Sequence, residues 1–257
     1  MQNKISKNRK TIRKESTQDS TVWIFGLHAV RNALLNEKRK LYKLLVSENA
    51  FKKLSHEISN SRVSYEIVNF KIIKLPIPPE SVHQGAILKV KPLTWGSVSE
   101  VCKTTAERSV VVLLDRVYDP QNVGAILRSA QIFRAKAVIA SRKHSPPETG
   151  AIAKAASGAL EWQPYLRIPN LAQTISRLKK MDYMIVGLDA SAEKTLETIN
   201  LDTFKNLALV FGSEGLGMRR LTTDLCDFLS KINTLSTFTS LNLSNAVAIS
   251  LYASNNS

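Results

Sequence analysis

Three short stretches of this chain gather residue types that can do chemistry. The first runs Asp115-Arg116-Val117-Tyr118-Asp119-Pro120-Gln121-Asn122 and continues through Gly124 to Arg128. It follows an apolar run that reads as a buried strand, and open α/β sheets place their ligands just beyond strand ends of that kind. Asp119-Pro120 forces a turn, Asn122 is expected to cap the helix that follows, and Ile126, Ala130 and Phe133 share one helical face. Arg128 falls off that stripe, which leaves its guanidinium free for a pocket or for solvent.

The second stretch is Phe211-Gly212-Ser213-Glu214-Gly215-Leu216-Gly217, again after an apolar run. Its three glycines allow a close backbone approach to a ligand. The order G-x-x-G-x-G is not the G-x-G-x-x-G of a dinucleotide fold, and no Lys-Ser/Thr of a phosphate loop follows, so nicotinamide, flavin and P-loop chemistry are disfavoured. A carboxylate inside such a turn, Glu214, calls for partners, because burying it unpaired would be costly. The third stretch, Ser240-Leu241-Asn242-Leu243-Ser244, leads into an apolar helix that Asn242 or Ser244 would cap, with Ala246, Ile249 and Ala253 on one side. No Ser-His-Asp set and no catalytic carboxylate pair stands out elsewhere.

The elements that must hold these stretches alternate in type. Residues 22–25, 41–46, 63–68 and 86–90 read as strands, with helices near 28–36 and 50–58, which makes a small α/β unit. Residues 94–108 read as a connecting segment with room for a short helix. Apolar runs at 110–114, 137–140, 183–188 and 207–211, separated by helical patterns at 122–133, 149–160 and 171–180, predict a parallel sheet with crossover helices. The expected organisation is a basic solvated tail over residues 1–20, a small α/β unit over 21–93, a linker over 94–108 and a larger α/β unit over 109–257. The fold class is therefore α/β, a small unit followed by a larger one. The chain runs only a few residues past Tyr252, so a short last helix is expected.

Composition narrows the partners. The 36 Lys+Arg against 21 Asp+Glu give a formal net charge of +15, which favours a polyanion such as nucleic acid. No apolar run reaches the roughly 20 residues of a membrane span, and no membrane association is expected. Cys102 and Cys226 are far apart, and the four histidines show no ligand spacing, so no metal is expected and a cytoplasmic location is the simple reading.

The three stretches, in this order and at these spacings, closely resemble the signature motifs of the SpoU family of RNA 2′-O-ribose methyltransferases in the SPOUT superfamily. The run Lys143-His144-Ser145-Pro146-Pro147-Glu148-Thr149, the stretch from Ala153 to Glu161, Gly26-Leu27-His28 and His83-Gln84-Gly85 are similar to the branch that methylates a guanosine ribose in 23S ribosomal RNA. The resemblance covers about residues 22–252. It implies S-adenosylmethionine as cofactor, a trefoil knot in the C-terminal unit, a homodimer paired through that region, and an L30e-like N-terminal unit that contacts RNA. It further implies that Gly212, Ile232 and Leu241 line the cofactor pocket, while Asn122, Arg128, Glu214, Ser240 and Asn242 surround the reacting centre. A transfer RNA methyltransferase of the same family and a non-catalytic RNA-binding relative are the alternatives. Lys231-Ile232-Asn233-Thr234-Leu235-Ser236 stands where the family usually carries Ile-Pro-Met and a nearby glycine, and this exchange is expected to weaken cofactor binding.

Overall fold

The structure, a computed structural model, describes residues 21–235 and 241–255. The basic tail over residues 1–20 and Ser240 lie outside the described residues. The first unit contains β1 (Val22–Phe25), α1 (Leu27–Leu35), β2 (Leu41–Val46), α2 (Glu48–Ser61), β3 (Tyr65–Ile67) and β4 (Ala86–Val90). Its sheet runs β1-β4-β2-β3, antiparallel except for the β2–β3 pair. Residues 63–68, expected as one strand, pair only over Tyr65–Ile67, all exposed at the sheet edge. The connecting segment holds α3 (Val98–Val101), started by a reciprocal capping box between Ser97 and Glu100.

The second unit comprises β5 (Ser109–Leu114), α4 (Pro120–Ile132), β6 (Ala137–Ser141), α5 (Gly150–Ala156), β7 (Tyr165–Ile168), α6 (Leu171–Lys179), β8 (Met184–Leu188), α7 (Leu196–Ile199), β9 (Asn206–Phe211), α8 (Arg220–Asp224), β10 (Phe228–Ser230) and α9 (Leu243–Asn255). Its sheet is ordered β10-β8-β9-β5-β6-β7, and every strand pair is parallel. The chain works outward from β5 through β6 to β7, then crosses to the other side of β5. That reversal of direction beside β5 is a topological switch point of the kind where such sheets bind ligands.

Three expectations are corrected here. The sheet has six strands rather than four, because β7 and β10 are short edge strands in which Arg167 or Ser230 interrupts the apolar run. The helix expected over residues 149–160 stops at Ala156, where Ser157 and Gly158 take positive φ of 52° and 100° and a 3-10 turn follows over Ala159–Glu161. On α9 the inward stripe is Leu243, Val247 and Leu251, while Ile249 is 40% exposed.

The two units share one core. Ile24, Val46 and Leu88 of the first belong to the same buried cluster as Val123, Ile152 and Leu160 of the second. Across this seam Arg39 is fully buried and grips Glu161 with both Nε (2.9 Å) and Nη2 (2.6 Å). Its Nη1 reaches Glu148 at 2.5 Å and the Lys91 carbonyl at 2.9 Å. Burial alone would lower the Arg39 pKa, but hydrogen bonds and charge from Glu161 and Glu148 outweigh it and hold the group above its ordinary value. Glu148 also accepts from Leu93 N–H (3.0 Å), and Glu161 from Asn36 Nδ2 (3.0 Å). Both carboxylates of the clamp thus hold backbone or amide groups on the first unit's side of the seam.

Candidate active site

Asp119, not Asn122, caps α4. Its carboxylate accepts from the N–H groups of Gln121 (3.0 Å) and Asn122 (3.3 Å), and Pro120 occupies the first turn. The amide of Asn122 is thereby released from capping. Its Nδ2 donates to Glu214 Oε1 at 3.2 Å, and its Oδ1 accepts from Asn242 Nδ2 at 3.1 Å. Asn242 also donates to Glu214 Oε1 at 3.0 Å, and the Leu243 N–H reaches the same oxygen at 3.1 Å. Of the two residues expected to cap α9, Asn242 and Ser244, it is Asn242 whose Oδ1 accepts, from the N–H (2.9 Å) and hydroxyl (2.6 Å) of Ser244. Donors from two segments 120 residues apart, Asn122 and Asn242-Leu243, therefore meet on one carboxylate oxygen.

The glycine loop sets that oxygen in place. Ser213 and Gly217 bond each other reciprocally through their backbones (3.1 and 2.9 Å), closing a tight turn that projects Glu214. A Cβ on Gly212 would stand 2.0 Å from the Gly217 carbonyl carbon, so no side chain fits there. Gly215 and Gly217 take φ of 79° and 62°, which ordinary residues rarely adopt. Beneath the loop, fully buried Asp115 at the end of β5 accepts from Arg219 N–H (2.9 Å), Arg219 Nε (2.8 Å) and the Thr222 hydroxyl (2.7 Å). These bonds lock the segment after the glycine loop to the central strand.

Beside the cluster lies a cavity of about 700 Å³ at the carboxyl ends of β8, β9 and β10. Gly212, Ile232 and Leu241 all line it, as do Glu214, Asn242 and the strand-end residues Leu188, Asp189 and Lys231. Asn233 and Thr234, from the run that departs from the family pattern, form part of the same wall. Arg128 stands apart. It is exposed on α4, six residues and so about 9 Å of helix rise beyond Asn122, and makes no hydrogen bond or ion pair among the described residues. Sequence reasoning missed the roles of Asp115, Arg219 and Thr222, and of residues 188–190. The last were findable, since a strand expected to end at 188 puts the next residues at the ligand edge.

Comparison with known proteins agrees with this arrangement. Residues 109–252 match the SpoU rRNA Methylase family, and residues 23–95 match the family described as RNA 2′-O ribose methyltransferase substrate binding. The chain is 35% identical to the 23S rRNA (guanosine-2′-O-)-methyltransferase RlmB of Coxiella burnetii over 234 residues, covering 89% of this chain and 93% of that protein. It is 33% identical to the putative TrmH family tRNA/rRNA methyltransferase YacO of Bacillus subtilis, covering 90% and 93% respectively. In fold it is similar to the SpoU methyltransferase AviRb of Streptomyces viridochromogenes, solved in complex with AdoMet, with a TM-score of 0.77 at 19% identity over 91% of this chain and 89% of that one. A parallel sheet with a ligand-sized cavity at the carboxyl ends of β8, β9 and β10, the match of residues 109–252 and the 35% identity to a relative over most of the chain make this chain a member of the SpoU rRNA methylase family.

Proposed function

We propose that this protein transfers the methyl group of S-adenosylmethionine to a ribose 2′-hydroxyl, and that the ribose belongs to a guanosine in 23S ribosomal RNA. The observation that carries this reading is the meeting of Asn122, Asn242 and Leu243 N–H on Glu214 at the rim of the strand-end cavity. The cavity suits the cofactor: about 700 Å³ is within the usual range for a drug-sized ligand, and the lining mixes apolar side chains with loop backbone. Gly212, Ile232 and Leu241 would hold it there, with Asn233 and Thr234 in place of a stiffer wall. When bound, the cofactor supplies an electrophilic methyl on a sulfonium.

What remains for the protein is positioning and charge stabilisation. Glu214, braced by two asparagine amides, fixes the geometry of the site's rim. Arg128 stabilises the alkoxide charge that develops as the hydroxyl loses its proton to water; a guanidinium is a poor base but a good electrostatic partner. Arg128→Lys is therefore expected to lower kcat roughly 10- to 100-fold with cofactor affinity unchanged, read by single-turnover methylation alongside calorimetry. Near-normal turnover would remove the requirement for a planar, forked group.

The same region supports a homodimer. Arg128 and Ile132 lie one turn apart on α4, and Ile132, Ile249 and Tyr252 are 66%, 40% and 57% exposed on the paired helices α4 and α9. A second copy covering this apolar face would enclose Arg128, and sedimentation of the Ile132→Glu variant as a monomer would bear this out. The trefoil knot implied by the family belongs to the same proposal, formed by the chain after β9 that returns past the cavity to α9. No helix among the described residues is long and apolar enough to cross a membrane, and a cytoplasmic location fits an enzyme acting on ribosomal RNA.

Calorimetric titration with S-adenosylmethionine tests the enzyme reading directly: no binding at millimolar cofactor would sink it in favour of a non-catalytic RNA binder. Mapping ribose methylation in ribosomal and transfer RNA, with and without the protein, then decides between the two RNA substrates.

A further inference from the structure

A second cavity, about 730 Å³, opens where residues 92–98, the end of the first unit and the start of the connecting segment, lie against β7 and α6. Arg142, Arg167 and Arg177 line it, together with Trp95, Asn170 and Gln173. None of the three arginines has an ion pair among the described residues. Arg142 Nε donates to the Arg167 carbonyl (2.8 Å), and Arg167 Nη2 donates to the carbonyls of Arg142 (2.7 Å) and Ser145 (3.1 Å). These contacts brace the two side chains against the strand ends without neutralising them. Arg167 Nε is buried with no hydrogen-bond partner among the described residues. Among the described residues the one carboxylate in the lining, Glu148, is already consumed by Arg39 and by the Leu93 N–H.

The position of the cavity is as informative as its charge. Arg142 directly follows β6 and Asn170 follows β7 by two residues, so the cavity opens at the same carboxyl edge of the sheet as the glycine loop after β9. Along that edge β9 and β7 are three strand spacings apart, about 14 Å. The nine-residue helix α6 points its N-terminus to this edge, and Asn170, Gln173, Thr174 and Arg177 share the helix face that lines the cavity. Residues 92–98 lead out of the matched substrate-binding unit toward the methylase unit, so a strand held by both would pass here.

We propose that this cavity binds phosphodiester groups of the substrate RNA a few nucleotides from the reacting ribose, and so sets which nucleotide reaches the methyl donor. The proposal rests on the reading that the substrate is RNA. Three unpaired guanidiniums held in a concave site suit the tetrahedral, multiply accepting phosphate better than any neutral ligand. The contact would be independent of base sequence, acting as a ruler rather than a reader.

The test compares wild-type protein with the Arg142→Ala/Arg177→Ala and Arg142→Lys/Arg177→Lys double variants, using transcribed 23S ribosomal RNA as the probe across a range of salt concentrations. Neither residue touches the Asn122–Glu214–Asn242 cluster. The alanine pair should raise the RNA Kd at least tenfold at low salt and flatten the slope of log K against log salt by about 1.4–1.8, the release expected for two phosphate contacts. The lysine pair should restore most of that slope, which a purely structural role would not. Affinity for S-adenosylmethionine and thermal stability should stay at wild-type values in both. Unchanged RNA affinity and slope in the alanine pair, with wild-type methylation intact, would overturn the cavity's role and leave the enzyme reading standing. A wild-type protein that binds no RNA would overturn both. Competition with RNA by micromolar inorganic phosphate would overturn the RNA assignment and give the cavity to a free anion.

Discussion

Glu214→Ala should cut methyl transfer roughly 100- to 1,000-fold, the scale seen when a preorganised hydrogen-bonding group is lost from an active site. The reason lies in how many groups depend on one oxygen. Glu214 Oε1 accepts from Asn122, Asn242 and the Leu243 N–H, so its removal strands three donors and unties the glycine loop from both α4 and α9. Glu214→Gln keeps an acceptor oxygen at the same place but brings its own donors close to the two amides. It should fall between wild type and alanine, about tenfold down. Rapid-quench methylation at saturating cofactor reads the rate, and a thermal melt confirms that the fold is retained, since Glu214 is exposed and contributes little to the core. An alanine variant within twofold of wild-type rate would mean that the cluster is only a structural brace.

The largest stability effect is expected at the seam between the units. Arg39→Ala leaves Glu148 and Glu161 buried without their counter-charge, with side chains only 9% and 2% exposed. Breaking a buried ion pair from one side costs about 3–5 kcal/mol. In a chain of this size that is a fall in Tm of roughly 6–20 °C. Neutralising all three members, as Arg39→Met/Glu148→Gln/Glu161→Gln, should recover most of the loss, because the penalty comes from uncompensated charge rather than from the absence of a salt bridge. Calorimetry of the two variants separates these terms. A triple variant no more stable than Arg39→Ala would show instead that the hydrogen bonds Arg39 donates to Glu161, Glu148 and the Lys91 carbonyl carry the seam.

Much of this was legible in local sequence because the signals are local. The continuous apolar run at 110–114 reads as a strand buried on both faces, and it is the central strand β5. Glycines 212, 215 and 217 marked a loop of close approach, which is what the reciprocal Ser213–Gly217 turn requires. The helical spacing puts Arg128 off the buried stripe of its helix, and it is exposed.

What local sequence did not determine depended on partners distant along the chain. Asn122 looked like a helix cap because capping asks only for a neighbouring N–H; that Asp119 takes this task, and that Asn122 turns to Glu214 92 residues away, is decided by how β5 and β9 pair. Glu148 and Glu161 carried no local sign of their bond to Arg39, more than 100 residues earlier, since a buried charge announces itself only once its surroundings are dry. The cationic cavity arises likewise from a linker, two strand ends and a helix face that meet only after folding. Periodicity and turn chemistry are written residue by residue and survive in the sequence. The pairing of charges and amides is set by sheet order, and for this protein that order decides which of its many asparagines, glutamates and arginines face the chemistry.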